Sequence, residues 1–315
     1  MPVLDTIDTQ DVDEFLGHLD PRGRTLRHWP EGDNKGKWIF RGHSDASYDL
    51  QPTIFRKSGF RKLEAIVDQV GCHVYVRNKT AYCCYIEARV LRAFIEVADE
   101  QGLSIPDDSV LTRMKLDHAI EQLAFYAYQG LSCPATAFYR LTEWPAPDFM
   151  SVLCLAQHSG IQTRLLDWTR SSYTASYFAA IGASKKLLKA ESPNKLAVYC
   201  FWLHNRRMLE GSVRIISAPR AGNSNLHGQD GVFTYSPVED FTTEMDVGPP
   251  LDAQIKDNEM QRIIKLTLPA EESVHLLLAL RNLGFHAARA FPTFEGVGRC
   301  LKENLCFSPD GSKLV

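Results

Sequence analysis

The 315-residue sequence lacks the features that would place it in several specialised classes of protein. No apolar run approaches the roughly 20 residues that a membrane-spanning helix needs. Residues 1–15 are acidic, unlike the basic and apolar parts of a signal peptide. The net charge is −3, so no global basic field favours nucleic acid, and any such contact must be local. These absences predict a cytoplasmic globular protein with no membrane partner.

The signatures of several common chemistries are also absent. The eight cysteines contain no paired C-x-x-C spacing, and the histidines are not paired with them at ligand spacing. We therefore expect reduced thiols and no metal site. There is no P-loop, no G-x-G-x-x-G fingerprint and no G-x-S-x-G elbow. Cys154 lies among apolar residues of a predicted helix, which argues against a cysteine hydrolase.

No internal repeat or low-complexity linker divides the chain, so we interpret residues 1–315 as a single domain. An apolar content of 44% and a charged content of 23% are typical of a soluble globular protein. Strands are predicted at Lys37–Phe40, Ile161–Trp168, Leu196–Leu203, Val213–Ser217, Val232–Tyr235 and Arg262–Leu268, with a further candidate at Ala287–Phe291. Helices are predicted at Val12–Leu19, around Cys84 to Ile95, from Ser109 to Gln129, before Gly160, after Ser172 and at Glu271–Leu283.

The order of these elements predicts the fold class. A helical layer at about residues 57–148 lies between two informative segments, and closely spaced strands follow it. An early helical layer and several late strands favour an α+β fold with a mixed or antiparallel sheet and an inserted helical layer.

The first informative segment is Leu153–Ala180. It combines a helix that ends near Gly160, a short strand and a polar elbow at Thr169, Ser171 and Ser172. Hydroxyl side chains of this kind cap a helix, and the free backbone N–H groups of a helix start suit an anion or a ribose. On pattern alone, an ordinary capped helix is the favoured interpretation.

The second informative segment is Trp38–Arg56, an apolar strand that ends in Arg41 and Gly42. Arg41 either binds a ligand or pairs with a buried acid such as Asp167. Arg164 is interpreted as a structural ion-pair partner of Asp167. Trp168 and Phe178 are more typical of a core than of a stacking platform, and His158 of a helix cap than of a general base.

Both segments resemble the FRG-domain family, which is named for its Phe-Arg-Gly. The residues that carry this resemblance are Phe40-Arg41-Gly42 with Tyr48, Leu50, Pro52 and Arg56, then Gln157-His158-x-Gly160, Thr163 to Thr169, Ala175 and Phe178-Ala179. Weaker matches are Gln229-x-Gly231-x-Phe233 and the stretch from Phe291 to Gly296. The same segments more distantly resemble mono-ADP-ribosyltransferases of the arginine-serine-glutamate class.

The resemblance implies an NAD-dependent mono-ADP-ribosyltransferase with a sheet core like that of the ADP-ribosyltransferase fold. It further implies a toxin–antitoxin or antiphage effector that modifies a nucleic acid, such as RNA, or a protein acceptor, with a neutralising antitoxin as a possible partner. NAD would be a substrate, and no metal is implied. A non-catalytic module that binds a ligand or partner on the same fold is the alternative.

The resemblance also assigns the site residues. Glu295 and Arg41 are the implied catalytic residues, and Glu259 is a rival for the role of Glu295. The implied contacts to NAD are Arg41, Gly42, Thr169, Ser171, Ser172 and Phe178. A carboxylate suits the oxocarbenium-like transition state of ribosyl transfer, and a guanidinium fork suits pyrophosphate. Thr293 stands where arginine-modifying relatives carry Glu or Gln, so an arginine acceptor is not expected.

Overall fold

The computed structural model describes residues 4–27, 37–56, 58–67, 75–129, 139–189, 193–203, 213–217, 228–245, 248–255 and 261–306. The strands in these stretches are β1 (Leu4–Asp8), β2 (Lys37–His43), β3 (Leu166–Thr169), β4 (Lys195–Leu203), β5 (Arg214–Ile216), β6 (Gly231–Tyr235) and β7 (Gln261–Pro269). The helices are α1 (Val12–Leu19), α2 (Arg24–Arg27), α3 (Gly59–Val67), α4 (Lys79–Glu100), α5 (Val110–Gln129), α6 (Met150–His158), α7 (Ser172–Leu188), α8 (Leu251–Gln254), α9 (Ser273–Asn282), α10 (Ala287–Ala290) and α11 (Phe294–Cys306). No helix within those stretches combines the length and the apolar composition needed to cross a membrane.

The seven strands form one mixed sheet in the order β1-β7-β4-β2-β3-β6-β5. The strand β1 runs parallel to β7, and the other neighbouring strands are antiparallel. The central strand β4 pairs with β2 on one side and β7 on the other. The α+β class with a mixed sheet is therefore confirmed.

Alternate residues of β4 belong to two different cores, as the two-residue period of a strand requires. Val198 and Cys200 pack in the core that contains α7, α9 and α1. Tyr199 and Phe201 pack in a second core, which also contains Trp168 of β3. Because both faces of β4 are covered, its sequence is an almost continuous apolar run.

The helical layer predicted between the two informative segments is present. The helices α4 and α5 pack against each other, and α4 also contacts α3 and α6. The cap predicted for α5 is formed, since the backbone N–H of Thr112 donates to the hydroxyl of Ser109 at 3.0 Å. The stop predicted at Gly160 is also found, at a φ of +92° that favours glycine.

Two predictions about strands need correction, and one strand was missed. The strand predicted at Ile161–Trp168 is confined to β3, because the preceding residues turn and bury Arg164 under the helical layer. The segment predicted as a strand at Ala287–Phe291 is the short helix α10, in which Ala287 and Ala290 are buried. The edge strand β1 was not predicted from the sequence.

The strand β2 and the helix α7 lie unusually close together at Gly42. A Cβ atom placed on Gly42 would lie 2.0 Å from the carbonyl oxygen of Ala175 and 2.8 Å from the backbone nitrogen of Ala179. Both contacts are with backbone, which cannot rotate away as a side chain can. Glycine at residue 42 and alanine on the facing side of α7 are thus two parts of one packing requirement.

A buried ion pair joins the helical layer to the segment before β3. Arg164 and Glu87 are each 2% exposed and form two parallel hydrogen bonds, Nε to Oε2 at 2.7 Å and Nη2 to Oε1 at 2.6 Å. Arg164 also donates to the carbonyl of Ser236 at 3.2 Å. The interpretation of Arg164 as a structural residue is confirmed, but its partner is Glu87 of α4 rather than Asp167.

We expect Gly42→Ala to destabilise the protein by about 3 kcal/mol, because β2 and α7 must separate to admit one methyl group. The matched control is Gly17→Ala within α1, where nothing lies within 4 Å of the added Cβ. That substitution should stabilise the protein by about 0.5–1 kcal/mol. Urea unfolding of the two variants measures both effects, and equal stability of Gly42→Ala and the wild type would contradict the packing requirement.

We expect Glu87→Gln to destabilise the protein by about 3–5 kcal/mol, because it leaves the Arg164 guanidinium charged and buried. The control is Glu96→Gln on the same helix, which removes the exposed pair between Glu96 and Arg92. That change should lower the free energy of unfolding by no more than about 0.5 kcal/mol. Chemical unfolding tests the difference, and similar losses in the two variants would show that burial of the Arg164 pair is unimportant.

Candidate active site

A cleft of about 280 Å³ opens beside the junction of β2 and β3. The two strands share a single facing pair, Phe40 with Thr169, and α7 begins shortly after β3. The lining residues are Phe40, Arg41, Gly42, Asp167, Trp168, Thr169, Ala175, Phe178 and Gln229. The fold therefore brings together Arg41, Gly42, Thr169 and Phe178, which the resemblance assigned to NAD.

A larger cavity of about 430 Å³ lies between the end of α4 and the end of α6. Its lining is mostly apolar, with Phe94, Leu103 and Leu155 among the residues, and none of the lining side chains is charged. Charge-assisted hydrogen bonds are the strong contacts to a phosphate group, and of these two clefts only the smaller has an arginine in its lining. The smaller cleft is therefore the better candidate for a nucleotide site.

Arg41 is fixed at the cleft by contacts with two residues. Its Nε donates to Nε2 of His43 at 2.9 Å, and its Nη1 donates to the backbone carbonyl of Asp167 at 2.6 Å. The side chain is 14% exposed, and this burial lowers the pKa of the guanidinium, against the opposing effect of the Asp167 charge. Within the described residues, Nη2 has no hydrogen-bond partner. The guanidinium is thus immobilised with donor capacity left for a ligand.

His43 is the buried support of Arg41. Burial, followed by the charges of Arg41 and Arg56, lowers the pKa of His43 to about 2. The ring is therefore neutral at neutral pH, and its Nε2 accepts the hydrogen bond from Arg41. Its Nδ1 lies 3.3 Å from the carbonyl of Tyr48, to which it donates in this tautomer. A charged His43 would lose the acceptor that orients Arg41.

Asp167 provides the acidic group of the cleft. Its Oδ2 lies 3.6 Å from Nη1 of Arg41, so the interpretation that Arg41 pairs with Asp167 is confirmed. The Asp167 side chain is 53% exposed, however, rather than buried. A half-exposed acid at the edge of a cleft remains accessible to a ligand.

The predicted hydroxyl residues have different surroundings. Thr169 lines the cleft, where its hydroxyl donates to the carbonyl of Gln229 at 2.5 Å. Ser171 is the cap of α7, because its hydroxyl accepts from the backbone N–H of Thr174 at 3.2 Å. Ser172 is buried and donates to the carbonyl of Leu19 at 2.8 Å. Ser171 and Ser172 are not among the lining residues, and their contact with NAD stays a prediction.

Comparison with known proteins gives one family match. The model of that family covers residues 36–187 of the chain. This segment matches the FRG domain. It includes every lining residue of the cleft except Gln229, so the cleft is largely a feature of the FRG domain. No curated protein and no solved structure is similar enough to the chain to count as a match.

Glu295 lies beyond the FRG domain, in the first turn of α11. Its side chain is 73% exposed and pairs with Arg299 at 2.6 Å. Glu295 does not line the cleft, although the nearby ring of Phe291 contacts the ring of Phe178 with a centroid distance of 5.9 Å. The catalytic role of Glu295 stays a prediction. Its rival Glu259 lies outside the described residues.

Three residues with hydrophilic side chains, in the cleft or supporting it, were not assigned to the site from the sequence: Asp167, Gln229 and His43. Asp167 and Gln229 both occur in the motifs that carried the resemblance, so a signal for them was present. His43 is two residues after Arg41, and alternate residues of a strand lie on the same face. This spacing alone could have placed His43 beside Arg41.

Of the remaining candidates, Cys154 and His158 do not line the cleft, whereas Trp168 does. Cys154 is buried, and burial raises the pKa of its thiol to about 12, which removes it as a nucleophile at neutral pH. Trp168 is a core residue whose indole N–H donates to Thr234 at 2.9 Å. His158 packs edge-on against Phe233 at the end of α6. Within the described stretches, no group of three or more His, Cys, Asp or Glu residues could hold a metal ion.

We expect His43 to make folding stability pH-dependent. The pKa of His43 is lower in the folded protein than its ordinary value of 6.5, so below pH 6.5 the unfolded chain binds a proton that the folded chain does not. The contribution of the neutral His43 ring to the free energy of unfolding is therefore full above pH 6.5 and is lost as the pH falls below that value. Between pH 7 and pH 5, the wild type should lose about 2 kcal/mol more stability than His43→Gln.

Urea unfolding of both proteins at the two pH values tests this expectation. Glutamine keeps a side-chain acceptor for Arg41 but does not titrate, so it isolates the proton effect. Parallel pH profiles for the wild type and His43→Gln would contradict a buried, neutral His43.

Proposed function

We propose that the chain is an NAD-dependent mono-ADP-ribosyltransferase and that the dinucleotide binds in the Arg41 cleft. The observation that carries this proposal is the immobilised Arg41 guanidinium, which is 14% exposed and whose Nη2 has no hydrogen-bond partner in the part of the chain that the structure describes. The two N–H groups of Nη2 can donate charge-assisted hydrogen bonds to pyrophosphate oxygens, and the fixed position of the guanidinium lowers the entropic cost of binding.

The size of the cleft supports binding of one part of the dinucleotide. Its volume is about 280 Å³. This lies near the lower end of the roughly 300–1,000 Å³ that is usual for ligand pockets. The cleft would hold the nicotinamide ribose and the adjoining phosphates, and Phe178 would provide an apolar wall.

The proposed reaction is a displacement at C1′ of the nicotinamide ribose. The bond from C1′ to the ring nitrogen breaks, and its electron pair neutralises the nicotinamide as it leaves. An acceptor oxygen or nitrogen then bonds to C1′ and loses its proton to solvent. Positive charge develops on the ribose between these steps, and a fixed carboxylate beside it would stabilise the transition state more than the ground state.

The proposal extends to the wider fold and to the biological role. The mixed sheet with α7 packed beside the cleft is compatible with the core of an ADP-ribosyltransferase. The resemblance favours a toxin–antitoxin or antiphage effector that acts on RNA or protein and is neutralised by an antitoxin. The net charge of −3 gives no general attraction for nucleic acid, so an RNA acceptor would need a local contact.

One observation favours the alternative of a non-catalytic ligand-binding module. The predicted catalytic carboxylate of Glu295 is 73% exposed, pairs with Arg299 and does not line the cleft. A protein that retained the Arg41 cleft without a carboxylate beside the ribose would bind the dinucleotide without cleaving it.

The test is release of nicotinamide from NAD by the purified protein, combined with calorimetric titration of Arg41→Lys. The wild type should release nicotinamide. Arg41→Lys should bind NAD at least about tenfold more weakly, because a lysine ammonium cannot keep the contacts with His43 and Asp167 and also donate from the position of Nη2. Binding without release would support the non-catalytic module. Wild-type affinity in Arg41→Lys would remove Arg41 from the site.

A further inference from the structure

The carboxylate of Asp167 is oriented by a dedicated side chain. Nε2 of Gln157, in the last turn of α6, donates to Oδ1 of Asp167 at 2.6 Å. The same nitrogen lies 3.3 Å from the carbonyl oxygen of Leu165. One carboxylate oxygen is thus held by an amide donor, and the other lies beside Arg41 at 3.6 Å.

Gln157 is itself fixed by a second hydrogen bond. The hydroxyl of Thr163 donates to Oε1 of Gln157, and the backbone N–H of Leu165 donates to that hydroxyl at 3.1 Å. A continuous chain of donors therefore leads from the backbone to Asp167. Such a chain fixes the amide orientation of Gln157, and with it the plane of the carboxylate.

Asp167 is not used as the counter-ion of Arg164. The charge of Arg164 is neutralised by Glu87 under the helical layer, so Asp167 is not needed as its partner. Asp167 lines the cleft with a side chain that is 53% exposed. A carboxylate that is oriented by protein donors and still accessible is prepared for a ligand rather than for a core.

We infer that Asp167 is the ribose-binding carboxylate of the cleft and accepts hydrogen bonds from the hydroxyls of the nicotinamide ribose. This inference rests on the proposed function for the identity of the ligand. The two oxygens of a carboxylate can accept from neighbouring hydroxyls of one sugar, and an acidic residue binds ribose in this way in dinucleotide-binding folds. Gln157 is the positioning residue.

The same carboxylate would act in the reaction. As the bond from C1′ to nicotinamide breaks, positive charge spreads over the ribose, and Asp167 stabilises it without forming a bond or transferring a proton. This is the role that the resemblance assigned to Glu295. Asp167 already lines the cleft, so it could fill this role where it stands, whereas Glu295 would need a movement of α11 to reach the ribose.

The experiment compares NAD with an analogue that lacks the 2′-hydroxyl of the nicotinamide ribose. The wild type should bind NAD at least about tenfold more tightly than the analogue, because a charge-assisted hydrogen bond is lost. Asp167→Asn should bind the two within about twofold of each other, and its nicotinamide release should fall at least about 100-fold. The control Asp99→Asn changes an exposed acid of α4 that pairs with Arg113, and it should match the wild type in both assays.

The wild type reports on the proposed function, and the variant reports on Asp167. If the wild type distinguishes the two ligands but releases no nicotinamide, the transferase proposal fails, and loss of discrimination in Asp167→Asn still supports the ribose site. Retained discrimination in Asp167→Asn overturns the inference. Full turnover in Asp167→Asn with loss in Glu295→Gln also overturns it and returns the catalytic role to Glu295. No binding of NAD by the wild type overturns both.

If Asp167→Asn folds poorly, which a lowered melting temperature would show, a second variant still tests the inference. Gln157→Met removes the donor that orients Asp167 but keeps the acid. We expect nicotinamide release to fall about tenfold to 100-fold while NAD affinity changes by no more than about threefold. A purely structural role would leave turnover per folded molecule unchanged, and that result would contradict the positioning of Asp167 by Gln157.

Discussion

The close approach of β2 to α7 at Gly42 is the constraint on which the cleft depends. A Cβ at residue 42 would lie 2.0 Å from the carbonyl oxygen of Ala175, so the two backbones are almost in contact. Arg41 precedes this contact, and Ala175 and Phe178 on the facing helix line the cleft. The packing that joins the sheet to α7 therefore also fixes the backbone that carries Arg41.

The distribution of charge follows from a second constraint. The buried arginine before β3, Arg164, takes Glu87 of the helical layer as its counter-ion, and both side chains are 2% exposed. Asp167 is consequently left at the cleft, where Arg41 and Gln157 orient it. Two arginines lie close to Asp167, Arg164 in sequence and Arg41 in space. Arg164 forms an ion pair within the core, whereas Arg41 lies at the candidate site.

The sequence predicts the local features of this fold well, because their signals lie within a few residues. The bounds of α1, the cap at Ser109 and the stop at Gly160 all depend on neighbouring side chains. The partner predicted for Arg164, Asp167, was wrong, because the actual partner Glu87 is 77 residues away in the chain and no local pattern indicates it. Likewise, the edge strand β1 is stabilised by pairing with β7 rather than by a strong pattern of its own.

For the candidate site, the motifs were more informative than the roles assigned to them. Arg41, Gly42, Thr169 and Phe178 were selected from sequence and line one cleft. Asp167 was interpreted as structural because its neighbour Arg164 offered a nearby partner. Side-chain direction and burial decide such questions, and a one-dimensional pattern reports neither for a strand as short as β3.

The most direct measurement of the central claim is a crystal structure of the protein with a non-cleavable NAD analogue. We expect the pyrophosphate beside Arg41, with an oxygen at a hydrogen-bond distance of roughly 2.7–3.2 Å from Nη2. We also expect the nicotinamide ribose next to Asp167. An analogue bound elsewhere, or a cleft that stays free of it at saturating concentration, would contradict the account.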